Sequence, residues 1–174
     1  MKKLKWFERQ FTFGLSPAML PFYLERLEGT IVRLEEKVKD FPEEMLSTKL
    51  NTKWSVKQNI GHLAEVDQIA NRRIDEIVSG VSPLSPAVFE PGGDYNAQPV
   101  GQVLAFFKDH RKNNLAKYRD LMESDLQKSS LHPRLKVQLT PVDLAWFDAE
   151  HDDHHLVTIN DLLKALSPAT VNSL

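Results

Sequence analysis

Late in the chain, His151 and His155 stand four residues apart within the run His151-Asp152-Asp153-His154-His155. On an α-helix that spacing puts two side chains about one turn apart on one face, where both imidazoles reach a common point. This is chelating geometry. A buried polar group without a partner loses on the order of 2 to 7 kcal/mol relative to water, so two imidazoles turned inward need something to hold them, and a shared metal ion would do so. The chain has no cysteine. Imidazole and carboxylate are therefore what remain for a metal, and disulfides, a cysteine nucleophile and thiolate zinc sites are excluded.

The elements that must position these residues read as helices. Ser16-Pro17 gives an N-cap and a first-position proline, and Leu20, Leu24, Leu27, Ile31, Leu34 and Val38 then form one apolar stripe up to about Asp40. Residues 1 to 15, with Trp6, Phe7, Phe11 and Phe13, read as an arm against the body. Ser55 and Gln58 have capping-box spacing at the head of a second helix, in which Val56, Ile60, Leu63, Ala70, Ile74 and Ile77 face inward to about Ser79. Residues 80 to 98 hold Pro83, Pro86, Pro91, Gly92 and Gly93 and read as a long loop, either a lid or a passive crossover. Pro99 opens a third helix to about Ser124, with Val100, Leu104, Phe107, Tyr118, Leu121 and Met122 inward. Thr140-Pro141-Val142-Asp143 opens the fourth, which runs to about Leu166, before Pro168. Leu135 to Leu139 is the one place for a short extended piece. Four such helices with a long crossover describe an all-α four-helix bundle in a single domain, residues 1–174.

On this frame the histidines take different weights. Leu144, His151, His155, Leu162 and Leu166 fall within about 60° on a helical wheel, so the pair sits at the centre of a buried face. His154 points to one side and borders the same space. Asp148 lies on the inward line one turn earlier, where it would orient His151 or His155, as metal-bound histidines require, or cap a neighbouring polar group. His62 falls at the edge of its stripe, in line with Asn59, Val66 and Ile69, and taken alone is either a half-buried hydrogen-bonded histidine or one that looks into a groove. His110 sits beside the third stripe, in a surface or hydrogen-bonded role or near a metal. His132 reads as a solvated loop residue among Lys128, Arg134 and Lys136.

Composition narrows the class. A formal charge of −2 with interleaved signs gives no footprint for nucleic acid or an anionic membrane. Glu8, Arg9 and Gln10 interrupt any leader-like apolar run, and no later stretch approaches a membrane span, so the chain is expected to be soluble and cytoplasmic.

Trp54-Ser55-Val56-Lys57-Gln58-Asn59-Ile60-Gly61-His62-Leu63 followed by Glu65, with the late His151-x-x-x-His155 and a second His just before the last, resembles the DinB/YfiT-like superfamily. Phe22 to Leu34 fits its Leu-Glu-Arg-Leu-type first helix, so the resemblance covers most of the chain. It implies an up-down-down-up bundle holding a divalent metal, commonly zinc or nickel, through three histidines that fall by motif position on His62, His151 and His155. Three nitrogen ligands leave a position for water or substrate, and such a site acidifies a water or an external thiol. The resemblance thus implies a metal-dependent enzyme with a small-molecule substrate, either a hydrolase or a transferase of low-molecular-weight thiols such as bacillithiol, the thiol arriving as cosubstrate. The alternative is a non-catalytic metal-binding or protein-interaction bundle. Family resemblance further implies a homodimer, for which the sequence offers only scattered exposed aromatics such as Trp6 and Phe89.

Overall fold

The computed structural model of the protein describes residues 3–87 and 90–167; Phe89 and Pro168 lie outside them. Helices α1 (Leu20–Val38), α2 (Glu43–Ser47), α3 (Val56–Val78), α4 (Val100–Arg119) and α5 (Pro141–Leu166) follow in order, with a two-residue antiparallel pair, β1 (Ser130–Leu131) and β2 (Gln138–Leu139), between the last two. α3 and α5 start where the capping residues predict, whereas Ser16 caps a short 3-10 turn (Pro17–Met19) and α1 proper begins after it, at Leu20. Ser55 Oγ accepts from the Gln58 N–H while Gln58 Oε1 accepts from the Ser55 N–H, both at 3.1 Å. Thr140 and Asp143 make the same reciprocal pair ahead of α5. The short α2 has no counterpart among the expected helices, since five residues carry too little periodicity to read. The third long helix stops at Arg119 rather than near Ser124, and Met122, expected inward, is 66% exposed. Asp125 accepts from the Met122 N–H at 3.2 Å and pairs with Lys128 at 2.8 Å, closing a turn where a longer helix would run on.

The long helices form a four-helix bundle in which α1 and α3 each pack against α4 and α5. Hydrogen-bonded partners give the directions. Asp67 meets Arg111 and Asp75 meets Lys117, so α3 and α4 are parallel; Arg26 meets Glu150 and Lys37 meets Asn160, so α1 and α5 are parallel. Glu35 meets Lys108 while Glu28 meets Arg119, so α1 and α4 are antiparallel, and with the two parallel pairs this makes α3 and α5 antiparallel as well. The order is up, down, down, up, which obliges the α3–α4 connection to cross the length of the bundle. Among the described residues no helix is long and apolar enough to cross a membrane.

Two apolar clusters fill the bundle, one built on Leu27, Ile74, Leu115 and Leu144 and the other on Leu34, Ile60, Phe107 and Ile159. Between them every long helix contributes a buried polar residue: Thr30, Asp67, Arg111 and Asp152. Arg111 donates to both oxygens of Asp67 (2.9 and 3.1 Å), to both of Asp152 (2.6 and 3.0 Å) and to the Leu27 carbonyl (2.9 Å), and Thr30 Oγ1 donates to Asp152 at 2.7 Å. Against burial, Asp152 and Asp67 hold the guanidinium above its ordinary pKa, so the charge is permanent.

The crossover loop is fastened to α3 at Glu65, one turn after His62. Glu65 Oε1 accepts from the Gly92 N–H at 2.7 Å and from the Tyr95 hydroxyl at 2.6 Å. The Tyr95 ring lies so close to Gly61 that an added Cβ would stand 2.4 Å from it. Gly61→Ala is therefore expected to lower stability by about 1–2 kcal/mol in urea unfolding, because overpacking of about 1–3 kcal/mol outweighs a helix-propensity gain of at most about 1 kcal/mol. Unchanged or raised stability would show that the ring yields freely.

Candidate metal centre

One nitrogen from each of His62, His151 and His155 lies within 4.8 Å of the others. The antiparallel α3–α5 pair creates this convergence, since it sets the first part of α3 against the middle of α5. The Nε2 atoms of His151 and His155 are 3.2 Å apart, close to the spacing of two nitrogens each about 2.0–2.1 Å from one tetrahedral ion. Trp54 covers the group, its ring stacked on His155 and tilted against His62.

The proton positions follow from the partners. Asn59 donates its amide to the Ser55 carbonyl at 2.7 Å, which turns Oδ1 toward His155 Nδ1, also at 2.7 Å. That oxygen can only accept. His155 therefore carries its proton on Nδ1 and presents a lone pair at Nε2. The Nδ1 atoms of His62 and His151 are buried and make no hydrogen bond. Burial pushes the pKa of all three below the ordinary histidine value, most strongly for His151 and His155, where the neighbouring imidazoles add to it. The group is thus neutral near pH 7 and offers unshared lone pairs, a donor set that suits zinc, nickel, copper or iron alike.

The N-terminal arm closes one side. Gly14 and Leu15 donate their N–H groups to Asp143 Oδ1, both at 2.9 Å, and Arg9 pairs with Glu150. Trp6, expected as an exposed aromatic, is instead half-buried against Phe147 and His151, with ring centroids 5.1 Å apart in each case. His154 faces Trp6 and borders the same space, as its wheel position suggests.

Two other expectations, for Asp148 and His132, are corrected. Asp148 orients neither histidine; Asn59 holds His155, and Asp148 Oδ2 has no hydrogen-bond partner. Periodicity gives the angle of a side chain but not its neighbour, and one turn before His151 the neighbours are Arg73 and the Arg111 layer. Of the two roles expected of His110 it takes the hydrogen-bonded one, on α4 beside Gln68 (3.0 Å) and Phe106, and does not join the triad. His132 is not solvated: it is 6% exposed, with Nδ1 accepting from the Arg134 and Leu135 N–H groups. Its burial depends on how the β1–β2 turn folds back on the helices, which local composition does not report.

The DinB superfamily model matches residues 26–159. The chain belongs to the DinB superfamily. The solved structure of YfiT from Bacillus subtilis, described as a probable metal-dependent hydrolase with an unusual four-helix bundle topology, aligns with a TM-score of 0.78 at 18% identity, over 91% of this chain and 93% of YfiT. At that identity the likeness is one of fold, and it includes the bundle class on which this DinB-superfamily chain builds its histidine cluster. A comparison with curated proteins gave no match.

Proposed function

We propose that the protein is a divalent-metal-dependent hydrolase of a small organic molecule, with His62, His151 and His155 as the metal ligands. The observation that carries this reading is the convergence of three neutral imidazoles at one end of an apolar cleft of about 930 Å³. The facing Nε2 pair has the spacing of two ligands on one ion, and with no partner at the Nδ1 atoms of His62 and His151 no closed hydrogen-bond network holds the imidazoles in its place. DinB-superfamily membership and the description of YfiT as a probable metal-dependent hydrolase support it. An ion held there supplies a Lewis acid that polarises a carbonyl and acidifies a water or thiol. The chain's own residues do the rest. Asn59 fixes the His155 tautomer, Trp54 and Trp6 keep bulk water from the imidazoles, and the Arg9–Glu150 pair fastens the arm that carries Trp6.

Transfer of a low-molecular-weight thiol uses the same centre. Without cysteine in the chain, the thiol must come from solution, and this separates the two reactions experimentally. Protein purified without an affinity tag is expected to contain close to one equivalent of zinc or nickel and to hydrolyse members of an ester and amide panel with no thiol present. Activity that appears only with an added thiol would move the assignment to transfer. Lack of stoichiometric metal would overturn the metal centre itself, and a filled site without activity on either panel would mark a non-catalytic bundle.

A further inference from the structure

The cleft extends well beyond the histidine triad. On α3, Arg73 follows His62 by eleven residues, three turns on the same face and about 16 Å along the axis. Val66, Ile69 and Ala70 line the floor between them, and Arg73 and His132 close the far end.

That end contains an unmet demand for an acceptor. His132 Nδ1 accepts two backbone N–H groups, from Leu135 at 3.0 Å and Arg134 at 3.3 Å. Backbone N–H groups cannot reverse their polarity, so the imidazole proton sits on Nε2. Arg73 Nη1, also a donor, lies 3.4 Å from that Nε2. Two N–H donors therefore face each other with no acceptor between them. Arg73 is 6% exposed, donates through Nη2 to the Ser85 carbonyl at 3.1 Å, and has no partner for Nε. Burial and the charges of Arg73, Arg134 and Lys136 lower the His132 pKa to about 4, which keeps the ring neutral, and the two backbone donors keep its proton on Nε2. The carboxyls that also line the cleft are Glu90 and Asp148. Burial and the nearby Asp67 raise the Asp148 carboxyl above the usual carboxylate range, against the lowering by Arg111 and Arg73, and no hydrogen bond joins it to Arg73: its Oδ2 has no partner.

We infer that Arg73 and His132 form an oxyanion subsite that holds the carboxylate or phosphate of an elongated, apolar-bodied substrate whose reacting group lies at the three histidines. The inference rests on the hydrolase reading for its second half only; the subsite itself stands on the Arg73–His132 geometry. It restricts substrates to molecules with an anionic group remote from the bond that is cleaved, and it leaves short uncharged esters as poor fits.

Binding calorimetry with octanoate, octyl phosphate and 1-octanol tests this, with the last sharing the apolar body but lacking the charge. Each is titrated into metal-loaded and chelator-treated protein, in wild type, Arg73→Gln and Arg73→Lys, with circular dichroism as the check on folding. One of the two anions is expected to bind wild type at least about tenfold more tightly than octanol, as charge-assisted hydrogen bonds imply. Arg73→Gln should abolish that advantage without weakening octanol, Arg73→Lys should keep part of it, and chelation should leave it in place. The stronger of the two anions identifies the group. Equal binding of anions and alcohol overturns the inference, as does an advantage that survives in Arg73→Gln. An advantage that vanishes on chelation and ignores Arg73 would put the anion on the metal, sinking the subsite while upholding the metal centre. Metal content, measured separately on the same samples, reports failure of the metal reading on its own.

Discussion

Arg111→Ala is expected to lower the free energy of unfolding by about 3–5 kcal/mol, the cost of removing one partner from a buried ion pair. Two features place it at that end of the scale. Arg111 is 1% exposed, and it is the only cation that hydrogen-bonds Asp67 and Asp152 among the described residues. Its loss leaves two carboxylates facing each other between the apolar clusters, and removes the donor to the Leu27 carbonyl. Since a domain of this kind is stable by only about 5–15 kcal/mol, the variant should lose much of its urea resistance. A loss under about 1 kcal/mol would show that water replaces the guanidinium at no cost. Replacing the ionic group as a whole, with Arg111→Met, Asp67→Leu and Asp152→Leu combined, is expected to recover most of the loss, because apolar residues of like volume often equal or better a buried ion pair. The layer would then be a device for aligning the four helices rather than a source of net stability.

The layer is within reach of periodicity. The inward stripe of the second long helix jumps from Leu63 to Ala70, and the missing turn between them is Asp67; the third stripe jumps from Phe107 to Tyr118, and Arg111 falls in that gap. Opposite charges at core positions of two neighbouring helices are by themselves a sign of a buried pair. Periodicity also conveys the inward face of α5 and hence the His151–His155 pair. His62 needs the family resemblance, because a residue at the edge of a stripe looks into a groove only if a neighbour leaves one open. Asn59 is visible on the His62 line, yet its bond to His155 depends on how far α3 and α5 slide past each other. The Arg73–His132 contact joins a helix to a turn 59 residues away, and no local pattern encodes that distance.

Asking the triad to hold an ion has a cost when no ion is bound, and His151→Leu exposes it. In the metal-free protein His151 presents a buried Nδ1 with no hydrogen bond and an Nε2 3.2 Å from a neighbouring imidazole nitrogen. An apolar side chain of similar reach removes the unsatisfied Nδ1, a buried polar group that costs about 1–3 kcal/mol, and forfeits one Nε2–Nε2 hydrogen bond, worth about 0.5–1.5 kcal/mol net. Metal-free His151→Leu is therefore expected to match or exceed metal-free wild type in thermal stability. With zinc or nickel at a free concentration of about 100 times Kd, the order reverses. Wild type should gain about 2.7 kcal/mol by binding the ion only when folded, which in a domain of this size is a rise in Tm of roughly 5–11 °C. His151→Leu, deprived of one chelating partner of His155, should gain nothing at that concentration. The crossing of the two stability orders is the signature that distinguishes a ligand from a packing residue: a core histidine satisfied by its neighbours would lose stability on substitution in both conditions and respond to metal in neither.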